Sequence, residues 1–338
     1  MRSDIEAAKA LLTPFFDALQ HGAVSDGHAA LKKVADDAQF RMCHPFGDLD
    51  GASAYVDAVL NRLEHACLDL ERIEYIRIAG VDHDGAIWVG SGGQYQGRFD
   101  APWLDIPVAG RFASMRFHEF YRIEDGRFAE MQAIWDIPEL MMQAGVWPMA
   151  PQLGRFRPAP APMSNDGLGP HDPSRSEASK THVIDMLTAM VRHPSQGGPE
   201  VMELDRYWHP SFMWYGPCGI GTARGAEEFR RFHQIPFLNA MPDRGQHEDR
   251  ITHHFMGEGD YVGVTGWPNM CQTISAPGWL GLPPLNKQIT LRSLDFWRIE
   301  DGKIRENWVL VDLLDMYAQI GVDVFARMRE VAWSKGYR

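Results

Sequence analysis

The chain has little of what builds covalent or metal frameworks. Its 338 residues include four cysteines, Cys43, Cys67, Cys218 and Cys271, with no Cys-x-x-Cys pair among them. That spacing excludes a disulfide scaffold, argues against a structural zinc and favours a reducing compartment. No run approaches the ~18 apolar residues of a membrane-spanning helix. The opening stretch, MRSDIEAAKALLTPFF, lacks the apolar core of a signal peptide. A cytoplasmic location is therefore expected, with no membrane partner. Positive charge is scarce too: the formal net charge is −12, and no Lys/Arg cluster interleaves with aromatics. Nucleic acid is not an expected partner, because phosphate binding needs concentrated positive charge. The stretch GPCGIG at 216–221 lacks the Lys-Ser/Thr ending of a phosphate loop. No cofactor and no metal site are expected; His253-His254 would project to opposite faces of a strand.

What the chain does have is itself, twice. Residues 120–146 and 296–322 align without a gap at an offset of 176, with eleven of 27 positions identical. Trp103 matches Trp279 and Arg116 matches Arg292 at the same offset; further upstream the offset drifts to 173–174, as loop insertions and deletions produce. A period this long is a duplicated domain, because one copy can enclose its own core.

Each copy reads helices first and strands afterwards. Ile5, Ala8, Leu12, Phe15 and Leu19 recur at helical spacing, with Gly22 beyond the end. Helical periodicity returns through Tyr55, Val59 and Leu63, and β-type runs follow at 70–79, 86–95 and 112–123. Asp-Gly at 125–126 predicts a tight hairpin turn, and a short helix closes the copy near Gly145. Residues 147–178 are rich in proline and polar residues and read as an extended linker. The second copy repeats the order, its meander running from about 251 to 311. Helices laid across a curved antiparallel sheet leave a concave apolar cavity, the usual seat of a small ligand.

The stretch RIEDGKIRENWVLVDLLDMYAQIG resembles the closing signature of SnoaL-like polyketide cyclases, within the nuclear-transport-factor-2-like superfamily. The resemblance covers both copies in outline, and most tightly 101–146 and 277–322. It implies two cone-shaped α+β barrels, at 1–147 and 179–338, joined by the Pro-rich segment 148–178. They would form a covalent version of the family's usual homodimer, with a further homodimer possible. The family's cyclases close a carbocycle by an intramolecular aldol reaction, using a histidine before the hairpin and an aspartate after it. In this chain the histidine position falls on Glu119 and Asp295, and the aspartate position on Ala133 and Val309. Neither copy holds the pair. An arginine with two carboxylates resembles the equipment of the limonene-epoxide-hydrolase branch, and here Arg116, Glu119 and Asp136, or Arg292, Asp295 and Asp312, would supply it.

The candidate acid/base residues are therefore Asp295, Asp312, Arg292, Glu119, Asp136 and His118. The candidate ligand contacts are Trp214, Tyr215, Trp267, Trp279, Trp308 and His254 in the second copy, and Trp88, Trp103 and Arg116 in the first. Several have structural alternatives. Asp136 and Asp312 each stand where a helix N-cap belongs, and Arg122 and Arg298 read as solvated strand-end charges. An Arg-x-x-acid spacing also puts Arg116 and Glu119 on opposite faces of a regular strand. The expected function is cofactor-free acid/base chemistry on a small apolar or cyclic molecule, in a second-copy cavity lined by Trp214, Trp267, Trp279 and Trp308 with Asp295 reaching into it. An epoxide or ester hydrolase, or a non-catalytic small-molecule binding protein, is the alternative.

Overall fold

The computed structural model of the chain describes residues 2–108 and 112–337. It divides into two units, Met1–Pro148 with Val322–Arg338, and Met149–Gly321. In the first, α1 (Arg2–Gln20) and α2 (Val24–Ala35) precede β1 (Gln39–Met42) and β2 (Gly47–Asp50). A continuous helical stretch follows, α3 (Gly51–Tyr55) and α4 (Asn61–Ala66), with a π-helical turn Val56–Leu60 between them. Then come β3 (Cys67–Val81), β4 (Ile87–Phe99), β5 (Phe112–Glu124), β6 (Arg127–Trp135) and α5 (Ile137–Gln143). The sheet order is β2-β1-β6-β5-β4-β3, all antiparallel except the β1–β6 pair.

The second unit repeats this plan. It runs α6 (Ser176–Met190), α7 (Leu204–Tyr207), β7 (Trp208–Tyr215), β8 (Thr222–Arg224), α8 (Gly225–Phe229) and α9 (Ile235–Ala240), with a π-turn Arg230–Gln234 again between the last two. β9 (His254–Glu258), β10 (Tyr261–Thr265), β11 (Met270–Ile274), β12 (Lys287–Leu291), β13 (Ser293–Glu300), β14 (Lys303–Val311) and α10 (Leu313–Gln319) complete it. Its main sheet has the order β8-β7-β14-β13-β10-β9, and β11 and β12 form a separate ribbon. Where β3, β4 and β5 are long and continuous, their counterparts are shortened or split. Both units thus hold a curved α+β sheet with helices across it. Among the described residues, no helix is long and apolar enough to cross a membrane.

The repeated signature has a physical basis in each copy. Asp125-Gly126 and Asp301-Gly302 adopt positive φ, at 48° and 73°, and 51° and 72°, as a tight hairpin turn requires. Gln143 receives the Ser114 N–H at 3.2 Å and donates to the Ser114 carbonyl at 2.6 Å. Gln319 does the same at Thr290, at 2.9 and 2.8 Å. The side-chain amide thus behaves as one more strand residue, fastening the closing helix to the sheet edge.

Two expectations about boundaries need correction. The last helix, α11 (Val324–Ser334), groups with the first unit, not with the second copy. Its Phe325 ring lies 6.0 Å from His44, and Arg329 pairs with Asp105 at 3.0 Å. The segment 149–178 is not a free linker but part of the second unit. Arg155 and Thr222 exchange two backbone hydrogen bonds at 2.9 Å, and Met163 N–H donates to Glu306 at 3.1 Å. That segment also helps cover Arg298, which is buried at 4 % exposure and paired with Glu306 at 2.6 Å instead of solvated. A proline-rich strap needs no pairing of its own when carbonyls and side chains along the sheet supply it.

Candidate functional site

The interior of the first unit is built around a buried carboxylate. Glu119 points from β5 into the core and is fully buried. It accepts hydrogen bonds from Arg72 at 2.7 Å, Tyr121 at 2.7 Å, Trp135 Nε1 at 3.0 Å and Tyr95 at 3.2 Å. Arg72, equally buried, is sandwiched between the Phe16 and Phe117 rings at 4.4 and 4.1 Å from their centroids. Burial works against the Arg72 cation, but Glu119 more than offsets it and the guanidinium stays charged. Burial, then the Glu119 charge, pushes the Tyr95 and Tyr121 hydroxyls well above their ordinary range. A carboxylate with its lone pairs spent on four fixed donors has none to offer a ligand. His118 is fully buried and, one residue from Glu119 along β5, faces the other side of the strand.

Arg116 and Asp136 form a second buried pair at 2.7 Å, with Glu139 3.9 Å from the same guanidinium. Burial raises the Glu139 carboxyl above its ordinary range, against the pull of Arg116. The equivalents in the second unit are Arg292 with Asp312 at 3.3 Å and Asp315 at 3.7 Å. Asp312 also caps α10, accepting from Asp315 N–H at 3.1 Å, whereas Asp136 turns to Arg116 and makes no such cap bond to α5. These trios brace the start of the closing helix in both copies. The arginine–dicarboxylate set read from the sequence is thus divided: Arg292 stacks over Trp267 at 4.4 Å, and neither it nor Asp312 lines the cavity that holds Asp295.

That cavity has a volume of about 80 Å³ and lies in the second unit, between α6, the α8–α9 stretch and the sheet. Strand alternation selects its walls: Ser293, Asp295 and Trp297 from β13, and Asn307, Val309 and Val311 from β14. Trp208, Trp214 and Trp279 complete the aromatic lining. The indole N–H groups of Trp208, Trp279 and Trp297 are buried without a hydrogen-bond partner. The π-turn contributes His233 and Gln234. His233 stacks on Trp214 at 4.2 Å, and burial, helped by the nearby Arg244 charge, lowers it to about 3, so the imidazole is neutral. Neither Gln234 amide atom has a partner. A π-turn puts extra backbone on one helical face, and such turns recur at functional sites.

Asp295 is the one carboxylate in this wall. Its Oδ1 accepts the Ser293 hydroxyl at 2.6 Å. Burial raises its pKa to about 7, with Ser293 and Arg244 pulling the other way. At neutral pH it is therefore present in both protonation states, the condition for taking and returning a proton.

Of the other sequence candidates, Trp214 and Trp279 line this cavity and Trp267 and Trp308 do not. Trp308 Nε1 donates to the Pro160 carbonyl at 2.9 Å, on the strap side of the sheet. Tyr215 donates to Glu306 at 3.2 Å, and His254 sits half-buried on β9; neither lines the cavity. Trp88 and Trp103 are buried in the first unit, with Trp103 6.4 Å from Trp135. His233, Gln234 and Arg244 were not legible as candidates from their own neighbourhoods. The repeat carries a signal for the first two, since at the offset of 174 Val59 and Leu60 stand in their places.

The sequence profile of the SnoaL-like polyketide cyclases matches residues 13–144 and again 181–320. No curated protein matches the chain significantly. Among solved structures, IdmH from Streptomyces antibioticus is 17% identical, over 41% of this chain and 98% of its own, with a TM-score of 0.34. TsrD from Streptomyces laurentii is 23% identical over 41% of this chain and 96% of its own, with a TM-score of 0.34. A SnoaL-like polyketide cyclase from Agrobacterium tumefaciens is 20% identical over 40% and 96%, with a TM-score of 0.31. The profile accounts for both copies, and the chain belongs to the SnoaL-like polyketide cyclase family as a tandem of two such domains.

Proposed function

We propose that the second unit is a cofactor-free acid/base catalyst acting on a small, ring-bearing apolar molecule, with Asp295 as the residue that moves the proton. The observation that carries this reading is a carboxyl with a pKa of about 7 in a cavity walled by tryptophans. Asp295 also stands where the family resemblance places a histidine, and its raised pKa gives it a histidine-like working range. In the step envisaged, the Asp295 carboxylate takes a proton from carbon next to a carbonyl. The C–H electron pair moves onto the carbonyl oxygen as an enolate, held by unspent N–H donors from Gln234 or the indoles. Where the enolate is conjugated with a further double bond, the protonated Asp295 then returns the proton to the far carbon of that system, shifting the double bond and giving isomerisation. Alternatively it gives the proton to an alkoxide formed when the enolate attacks an internal carbonyl, giving ring closure.

Deuterium uptake at the α-carbons of 2-tetralone, followed by proton NMR, tests the reading. Wild type is expected to accelerate exchange, Asp295→Asn to lose at least 100-fold of that acceleration, within the usual range for a positioned acid/base, and Asp312→Asn to keep it. Retained exchange in Asp295→Asn would sink the assignment. Loss in Asp312→Asn at unchanged melting temperature would move the chemistry to the arginine–aspartate trio. No acceleration by wild type would favour a binding protein.

A further inference from the structure

Beside the inner cavity lies a second, larger space of about 380 Å³, lined by Ile184, Val191, His247, Ile251 and Phe255 among others. The two share Leu187, Arg244 and Met270 in their walls, so Arg244 stands at the passage between them. Arg244 is half-buried, and its guanidinium donates no hydrogen bond and makes no ion pair within 4 Å among the described residues. Its nearest neighbours of note are the Phe237 ring, 5.5 Å from the guanidinium carbon, and the more distant charge of Asp295. The three fully buried arginines each have a carboxylate partner, Arg72 with Glu119, Arg116 with Asp136 and Arg298 with Glu306, whereas half-buried Arg230, away from these two cavities' shared wall, lacks one as Arg244 does. A guanidinium that keeps solvent access at the wall of two adjoining cavities, with its donors unspent, is placed to receive an anionic group from a ligand.

The chain also spends residues on holding Arg244 there. Asp243 does not pair with it; its two oxygens share the Thr273 N–H, at 2.8 and 3.0 Å, and one meets His247 at 3.2 Å, pinning the loop to β11. Gly245 follows at φ +79°, with Val191 only 3.0 Å from where a Cβ would be. A side chain there would be strained and crowded, so the turn that aims Arg244 inward needs glycine.

Resting on the proposed use of the same site, we infer that the ligand is an organic acid, its carboxylate bound bidentately by Arg244 at the passage, its reacting ring in the inner cavity and its apolar remainder in the outer space. The ring then meets Asp295, and the carboxylate replaces the counter-ion that Arg244 lacks. Anchoring by a non-reacting group is a usual way to position a substrate against an acid/base residue. Glu248, on the outer wall, is the acidic residue facing the ligand's remainder, which favours a neutral or apolar tail.

The test compares 2-naphthoate with methyl 2-naphthoate, using tryptophan fluorescence and calorimetry on the full chain. Wild type is expected to bind the acid at least tenfold more tightly than the ester. Arg244→Met should abolish that preference while leaving ester binding within about twofold, and Arg244→Lys should retain part of it at unchanged melting temperature. Equal binding of acid and ester by wild type overturns the inference, as does an unchanged preference in Arg244→Met, and so does binding of neither probe. The outcome is separable from that of the proton-transfer reading. Loss of exchange in Asp295→Asn without an acid preference removes only the carboxylate anchor, whereas an Arg244-dependent preference without exchange leaves an acid-binding protein.

Discussion

The two units place different residues at the same positions of one fold, and the difference lies in what surrounds each buried carboxylate. At the offset of 176, Glu119 corresponds to Asp295, Phe117 to Ser293 and Trp135 to Val311. Through the pairing of Tyr95 with Met115 and of Met270 with Leu291, Tyr95 corresponds to Met270. The second-unit residue of each pair lines the cavity. The first-unit residues fill that space instead, Tyr95 packing 5.1 Å from Phe117 and 4.6 Å from Trp135. Val59 and Leu60 on one π-turn correspond to His233 and Gln234 on the other. One copy has larger rings and a saturated carboxylate; the other has smaller side chains, unspent donors and a carboxyl poised near neutrality.

The long β3 strand carries the same contrast further. It brings Arg72 inward to neutralise Glu119. In the second unit the matching stretch is a turn and loop before the short β9, and its cation, Arg244, stops at the cavity wall without closing on Asp295. The largest expected effect follows from breaking the first arrangement. Arg72→Ala leaves Glu119 buried without its counter-charge and should cost about 3–5 kcal/mol, read as loss of the first unit's transition in urea. If the cost stays below about 1 kcal/mol, the Arg72–Glu119 pair is not what holds that interior together.

The second unit should respond in the opposite direction. Asp295 has its folded pKa raised from 3.8 to about 7. Between those values the unfolded chain has lost the proton and the folded chain keeps it, so the Asp295 contribution to stability falls as pH rises through that window and levels off above it. The lift corresponds to about 4 kcal/mol at most, and Asp295→Asn should recover much of it at pH 8 and little at pH 4. His233 works in the opposite sense: lowered from 6.5 to about 3, it carries its proton between those values only in the unfolded chain. Its contribution therefore rises with pH and offsets the Asp295 trend in wild type, and the comparison with Asp295→Asn isolates the carboxyl. Arg244, lowered to about 10, stays charged. Equal stability of the variant and wild type at both pH values would mean that Asp295 titrates normally and cannot shuttle protons at neutral pH.

Much of the fold was legible in the sequence because duplication doubles every structural signal. The Asp-Gly turns, the closing glutamine and the helix–strand order appear twice at matching offsets, and structure follows them. The site was only partly legible. Asp295 stood out because the repeat set it at a position the family reserves for chemistry. Trp308 misled because the number of indoles says nothing about which way each one faces. Alternation along β14 puts Asn307, Val309 and Val311 on the cavity side and therefore Trp308 on the other. Arg244 lay beyond reach because it stands on a loop where the repeat lapses, and because its lack of a carboxylate partner shows only in the folded chain. The strap at 149–178 and the exchange of α11 into the first unit were missed for a related reason. Composition predicts that a segment lacks regular structure, not which surface it will cover.

The smallest expected effect is also the sharpest probe of how the two interiors differ. Glu119 is held by four donors, Asp295 by the single Ser293 hydroxyl at 2.6 Å. That bond favours the ionised carboxylate and so holds the Asp295 pKa below where burial alone would put it. Ser293→Ala removes the donor from a group that already faces open cavity, so little packing is lost. The Asp295 titration should move upward by up to about one pH unit, the equivalent of one ~1 kcal/mol hydrogen bond, as followed by carboxyl-carbon NMR. The pH at which deuterium exchange reaches half its maximum should rise with it, because the base form then appears later. Stability should be nearly unchanged at pH 4 and slightly lower at pH 8. If the titration does not move, Ser293 donates elsewhere in solution, and the raised pKa of Asp295 owes nothing to the fine structure of its strand.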